Sequence, residues 1–371
     1  MIVSSGLPSE KYPLIGIFEF DQAKALKQAG NSVSFLAVDL RSALRWRKWG
    51  ITKGVKDGVD YYIYNFPVGR LPLSIICLIG TWCLKQLFRI AVKDHGEPDI
   101  IHAHFTEMGC ITSRLKLGDS IPYIITEHSS KMNQYVISDE LKICASEAYN
   151  NAKVVVSVGS CLANNIYRHT GCKPIVIPNI IDTELFFRCK KKKHEGFHLV
   201  TTSNLIILKR TWQILQALAM IDPSVIDFKL TVIGDGTEKD TLLYWREVLH
   251  LSERVDIVGY KSRESIASIY ETADAFIMVS SSETFGVAYV EAMAAGLPVI
   301  ATRCGGPEDF VNSSNGILVD VDDIIQISCA IKKIYNKRDS FDEDSLREFV
   351  RSSFSPNIIA EKLMKIYNEI I

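Results

Sequence analysis

The chain has 371 residues, with 42 basic side chains against 43 acidic ones, and nine cysteines. So even a balance gives no global field for nucleic acid, and the length exceeds one ordinary core, which points to two domains. The cysteines form no Cys-x-x-Cys pair and no Cys/His ligand spacing, as expected of buried or free thiols in a reducing cytoplasm.

Met1–Gly6 has neither a basic region nor an apolar core of the kind a secretory leader carries, so none is expected. Short β-branched runs then alternate with helical patterns to the end of the chain. Strands are predicted at 32–38, 61–65, 100–103, 123–126, 154–158 and 175–177, and again at 199–202, 229–233, 255–258, 275–279 and 299–301. Helices are predicted over 17–29, 139–150, 213–221, 239–249 and 263–273. This alternation predicts parallel sheets covered on both faces, in two doubly wound α/β domains. The charged stretch 188–196 reads as the linker, giving domains at 1–187 and 197–354, and 355–371 reads as a closing helix that returns to the first domain.

In the first half, the loop at 9–16 ends on Gly16, where a missing Cβ would let backbone approach a phosphate. The basic segment Arg41–Trp49 carries Trp46 and Trp49, and an apolar run follows at 71–84, short of the roughly 20 residues needed to span a bilayer. Together they suit an anionic membrane surface and a lipid-linked acceptor, or else an ordinary surface helix beside a core helix. His102 and His104 share one strand face, but no third ligand completes a metal site, so no metal is expected. His128 ends the 123–126 strand. Residues 178–186 read as a hinge turn.

In the second half, Asn204, Lys209 and Arg210 follow the 199–202 strand, Gly234 opens a Gly-Asp-Gly turn after 229–233, and Tyr260 and Lys261 follow 255–258. The densest pattern is 280–302. A polar loop containing Glu283 and Thr284 leaves the 275–279 strand, and a short Ala-rich helix from about Phe285 contains Glu291 and stops at Gly296 and Pro298. The free N–H groups and positive end of that helix favour phosphate. Glu283 and Glu291 are too far apart for one acid/base pair, so they accept hydrogen bonds from different hydroxyls of one elongated ligand, a sugar nucleotide.

The 283–291 pattern resembles the Glu-x7-Glu signature of retaining glycosyltransferases of family 4, and matching features run along nearly the whole chain. The resemblance implies the GT-B fold, in which two Rossmann-like α/β domains face each other across a cleft. It implies that Glu283 contacts the donor sugar and Glu291 the ribose, with Thr284, Phe285, Gly286 and Val287 at the sugar and diphosphate. Lys209 matches the family's phosphate-binding Lys. Asn204 stands where the family carries Arg, and Arg210 stands where it carries Gly. Gly16, Gly234, Tyr260 and Lys261 would line the donor, and His128 would touch the donor sugar at the reaction centre. Glu283, His128 and Lys209 are then the catalytic candidates, in a metal-independent front-face transfer. The implied activity is transfer of a hexose or N-acetylhexosamine from a nucleoside diphosphate sugar, UDP-sugar favoured, to a glycan acceptor on lipid, in bacterial surface polysaccharide assembly. Transfer to a small soluble acceptor is the second reading, and a non-catalytic sugar-nucleotide-binding subunit the third.

Overall fold

The computed structural model describes residues 1–117, 120–181 and 184–371. Asp182 and Thr183, part of the expected hinge turn, lie outside the described residues. Two compact units form, one from Met1–Ile180 together with Pro356–Ile371 and the other from Ile181–Ser355.

Unit 1 runs β1 Ile2–Ser4, α1 Ile17–Gln28, β2 Ser34–Asp39, β3 Gly50–Lys56, β4 Val59–Asn65, α2 Leu73–His95, β5 Ile101–His104, α3 Phe105–Ser113, β6 Tyr123–Glu127, α4 Asp139–Asn151, β7 Val154–Ser157, α5 Ser160–Thr170 and β8 Ile175–Val176. Among the described residues its sheet has eight strands in the order β3-β4-β2-β1-β5-β6-β7-β8. The β3–β4 pairing is antiparallel and the others are parallel. The chain leaves β1 towards β2 on one side and returns at β5 on the other, so the strand order switches between β1 and β5. A crevice at the carboxyl ends of those two strands is where such sheets take ligands.

Unit 2 runs α6 Glu184–Phe187, β9 Phe197–Thr202, α7 Thr211–Ala219, β10 Phe228–Ile233, α8 Lys239–Val248, β11 Val255–Gly259, α9 Arg263–Tyr270, β12 Ala275–Met278, α10 Val287–Ala294, β13 Val299–Thr302, β14 Gly316–Val319, α11 Ile324–Lys337 and α12 Glu343–Phe354. Its parallel sheet has the order β11-β10-β9-β12-β13-β14, which places the switch between β9 and β12. The core lies under this sheet, where Leu199, Leu230, Ile277 and Ile300 meet Ile214, Leu218, Ile327 and Ile331.

α13, Pro356–Ile370, belongs to unit 1. Its buried Ile359, Leu363, Ile366 and Tyr367 pack with Phe20, Leu26 and Phe35. The i, i+4, i+7, i+8 spacing of those four residues forms one apolar stripe, and its burial keeps the last turn in place.

Several expectations change. β1, β3 and β14 carry too few apolar residues in strict alternation to stand out in the sequence. The charged stretch 188–196 is not a free linker: the Lys192 N–H donates to Glu271 O at 2.7 Å, the Lys192 ammonium pairs with the Glu271 carboxylate, and Cys189 is buried. The apolar run at 71–84 belongs to a helix of 23 residues, long and apolar enough to cross a membrane by length and composition. Its Cys77, Gly80, Cys83, Leu84, Leu87 and Ala91 are nevertheless buried in unit 1, which marks that face as core. The 41–49 segment is not a helix. Arg41 and Arg47 both bind Asp39 Oδ2, at 2.5 and 2.8 Å, so one carboxylate ties down two of its four cations and cancels one of their charges.

Candidate functional site

In unit 2 the residues picked out by the 283–291 pattern gather at the carboxyl ends of β9 and β12. Gly286, in the left-handed region with φ 100, caps α10, so the loop turns sharply and aims the helix N-terminus towards the end of the sheet. The loop is held on both sides: the Glu283 N–H donates to Cys304 O at 3.1 Å, and the Gly306 N–H donates to Glu283 O at 2.9 Å. Phe285 is buried against Phe310 and Phe354, with ring centroids 5.4 and 5.5 Å away. It therefore anchors the loop, and only its main chain can serve a ligand.

Lys209 closes a single 3-10 turn after β9, and its Nζ lies 2.6 Å from Glu283 Oε1. The Ser280 hydroxyl donates to the same oxygen at 2.7 Å. The fold thus joins a cation and a carboxylate that stand 74 positions apart in sequence. Glu291, four residues into α10, binds Arg263 Nη2 of α9 at 2.6 Å. Arg263 was not anticipated, and no sequence signal marks it beyond its place after the Ser262 cap. Arg210 takes another partner: its Nε is 3.0 Å from Asp322 Oδ1, which Gln213 also reaches at 2.6 Å. That leaves Lys209 as the cation beside Glu283. Asn204 is exposed at the end of β9, Tyr260 is 58% exposed after β11, and Lys261 is half-buried beside it.

Two glycines have reasons internal to the chain. A Cβ on Gly234, φ 138, would stand 1.8 Å from Ser203 O, so the turn after β10 packs directly on the loop after β9. A Cβ on Gly16, φ 69, would stand 2.2 Å from Gly6 O, so the loop between β1 and α1 folds back on itself just before the helix.

Unit 1 carries a buried histidine ladder. Gln22 Nε2 lies 2.9 Å from His102 Nδ1 and 3.3 Å from His104 Nε2. Tyr367 Oη lies 2.6 Å from His102 Nδ1, and Thr126 Oγ1 lies 2.7 Å from His102 Nε2. His104 Nδ1 meets His128 Nε2 at 2.9 Å. With the Gln22 amide donating to both rings, His102 is protonated at Nε2 and His104 at Nδ1. His128 then accepts at Nε2 and carries its proton at Nδ1. The ladder accounts for the ring nitrogens of His102 and His104, which the sequence suggested only as a strand-face pair.

Next to His128, Glu127 is saturated with donors. Its Oε1 accepts from the N–H groups of His128 and Ser129 at 2.9 and 2.7 Å, and its Oε2 from the hydroxyls of Tyr149, at 2.7 Å, and Thr106. This fixes the strand end that presents the imidazole. Phe105, its ring tilted against His128 at 5.1 Å, has φ 68, a strained conformation for a bulky residue and one that clusters at functional sites.

Burial sets the charge state of this region. It lowers the pKa of His102 to about 3, helped by His128 and the chain N-terminus, and that of His128 to about 4, opposed by Asn179. His104 is held well below 6.5 by burial and by its two histidine neighbours. Burial raises Glu19 to about 7 against its backbone and Ser4 hydrogen bonds, and raises Glu127 against its donors. Depressed histidines stabilise the fold above their unfolded pKa near 6.5, and that stability is lost as pH falls towards 3–4. Glu19 acts in the opposite sense, stabilising below about 4.5 and losing that contribution as pH rises towards 7, and Glu127 acts in the same direction as Glu19. The buried chain N-terminus, lowered by burial to about 5, acts with the histidines, so four groups against two leave a net loss on acidification. Unit 1 is therefore expected to lose stability between pH 6 and 4.5. Calorimetric unfolding across that range checks this, and a melting temperature that holds or rises would contradict it.

Comparison with known proteins follows the division of the chain. A family model described as Glycosyltransferase Family 4 matches residues 18–185, and one described as Glycosyl transferases group 1 matches 182–350. The chain is 29% identical to N-acetyl-alpha-D-glucosaminyl L-malate synthase of Bacillus anthracis, over 97% of this chain and 94% of that one. It is 25% identical to TuaC of Bacillus subtilis, named for teichuronic acid biosynthesis, over 99% and 97%. Among solved structures, Anabaena HepE in complex with UDP superposes with a TM-score of 0.76 at 17% identity, over 99% and 98%. That likeness shows the same two-domain GT-B fold.

Proposed function

Since the chain is a glycosyltransferase, with a family 4 domain followed by a group 1 domain, we propose that it transfers a hexose or N-acetylhexosamine, with retention, from a UDP-sugar to a lipid-linked glycan acceptor. The observation that carries the donor reading is the Lys209–Glu283 pair beside the N-terminus of α10. An ammonium and a row of helix N–H groups suit a diphosphate, while the carboxylate beside them suits sugar hydroxyls. Glu291, oriented by Arg263, is assigned to the ribose. The diphosphate departs from one face of the sugar and takes the acceptor's proton as the new bond forms on that same face. The protein's part is positioning and charge stabilisation, with no metal invoked.

The acceptor reading rests on what unit 1 leaves exposed. Leu44, Trp46 and Trp49 project beside the exposed Arg45 and Lys48, and the outer stripe of α2 shows Ile75, Leu78, Trp82, Lys85 and Arg89. Aromatic and aliphatic groups with basic neighbours suit an anionic bilayer. A small soluble acceptor is the second reading, favoured by the malate-glycosylating relative from Bacillus anthracis.

Flotation separates the two. The wild type is expected to float with vesicles containing anionic phospholipid and to do so far less when Trp46 and Trp49 are both replaced by alanine. A wild type that stays at the bottom of the gradient removes the lipid-linked reading and leaves the small acceptor. Mass spectrometry of products formed from UDP-sugars with polyprenyl-linked glycan or with malate then identifies the acceptor.

A further inference from the structure

The cysteines look scattered in the sequence, but three of them converge in unit 1. Cys77 of α2, Cys110 of α3 and Cys144 of α4 place their Sγ atoms within 4.8 Å of one another. Cys77 and Cys144 are 3.9 Å apart at sulfur. All three are buried, at 1%, 0% and 5% exposure.

Thiolates about 2.3 Å from a tetrahedral zinc-type ion stand about 3.8 Å from each other, so the sulfurs need only a sub-ångström contraction to share one. At the edge of the cluster, Glu147 Oε2 lies 3.5 Å from Cys110 Sγ, on a side chain one third exposed. Arg114 grips that carboxylate with Nε on Oε1 and Nη2 on Oε2, both at 2.7 Å. Three thiols in one buried spot, with a pinned carboxylate beside Cys110, are not what apolar packing between helices calls for, since valine or alanine would fill that space. Such pinning is how outer partners orient a metal ligand.

We propose that Cys77, Cys110 and Cys144 form a structural site for a thiophilic divalent cation of the zinc type, with Glu147 turning in from the edge as the fourth ligand. Binding exchanges three thiol protons for the ion and forms three metal–sulfur bonds and one metal–oxygen bond. The Arg114 guanidinium offsets the excess negative charge of three thiolates and a carboxylate around a divalent ion. The ion ties together α2, α3 and α4, which pack against one another, and so stiffens unit 1 without entering the transfer chemistry.

The test uses the full chain, reduced and stripped of metal, titrated with cadmium chloride and then with zinc chloride. One equivalent of cadmium should bind, with thiolate-to-metal charge-transfer absorption of the intensity expected for three thiolates. About three protons should be released. Zinc should displace the cadmium and raise the melting temperature. Cys144→Ser and Glu147→Gln should each weaken binding by about 10–100-fold, whereas Cys329→Ser, at an exposed position, should leave it unchanged. Circular dichroism checks that the variants fold, and if Cys144→Ser does not, Glu147→Gln carries the comparison. Absence of stoichiometric binding would overturn the proposal. So would binding that survives both substitutions, or an unreduced chain in which two of these cysteines are found as a disulfide and no cation is taken up after reduction.

Discussion

Lys209→Met is expected to lower kcat for sugar transfer by about 10²–10³-fold, the cost of removing one preorganised group from a developing oxyanion, while the protein stays folded. The side chain is 19% exposed and packs at the end of a single turn, so methionine keeps its aliphatic stem and loses only the charge. The geometry adds a second expectation. Lys209 Nζ and Glu283 Oε1 are 2.6 Å apart and mostly shielded from water, so either single substitution strands a partly buried charge. Glu283→Gln retains an acceptor for the Ser280 hydroxyl and should lose a comparable factor. The double variant should then lose distinctly less than the product of the two single losses, because the groups act as one unit. Steady-state kinetics on UDP-sugar with product quantification reads all three. Equal turnover by wild type and Lys209→Met would remove the charge-stabilising role of Lys209, and turnover by neither would favour a subunit that only binds the nucleotide.

If His128 donates to the donor sugar, as the family resemblance implies, His128→Ala should lower kcat by about 10²-fold, the cost of losing one such donor. Gln22→Leu should lower it by about tenfold with KM little changed. Gln22 is a positioning residue, two ring nitrogens removed from His128. Its amide donates to His102 and His104, and that polarity is what leaves the proton of His128 on Nδ1. Without the amide both tautomers become accessible and part of the population presents a lone pair where a donor is needed. Nitrogen-15 chemical shifts of the His128 ring distinguish this from a general loss of packing, since a merely structural role would leave the tautomer as in the wild type. An unchanged Nδ1–H population in Gln22→Leu contradicts the relay, and full activity of His128→Ala contradicts the role of the imidazole itself.

Much of the fold was legible because parallel α/β units repeat a strong local signal. Val154–Ser157 and Ala275–Met278 are buried apolar runs between helical patterns, and their strand character needs no tertiary information. β3 is not visible in the sequence, since Gly50–Lys56 is largely exposed, with two glycines and two lysines, and becomes a strand only by pairing antiparallel with β4. The apolar run at 71–84 also stops well short of the end of α2. Charges at Lys85, Arg89 and Lys93 broke the apolar run in the sequence, yet they continue the exposed face of the same helix.

What the sequence by itself determined is where Lys209, Glu283, Gly286 and Glu291 stand in the fold, because these are local positions set by a strand end, a turn and a helix start. What only the tertiary structure decided is how those charges and the buried polar groups are partnered. The Lys209–Glu283 and Glu291–Arg263 pairs, the diversion of Arg210 to Asp322, the ladder from Gln22 to His128 and the meeting of Cys77, Cys110 and Cys144 all join residues from separate elements. The physical reason is range. A turn or a cap is settled within a few residues of itself, whereas a buried charge or thiol takes whatever partner the packing of distant helices and strands brings within about 3–4 Å.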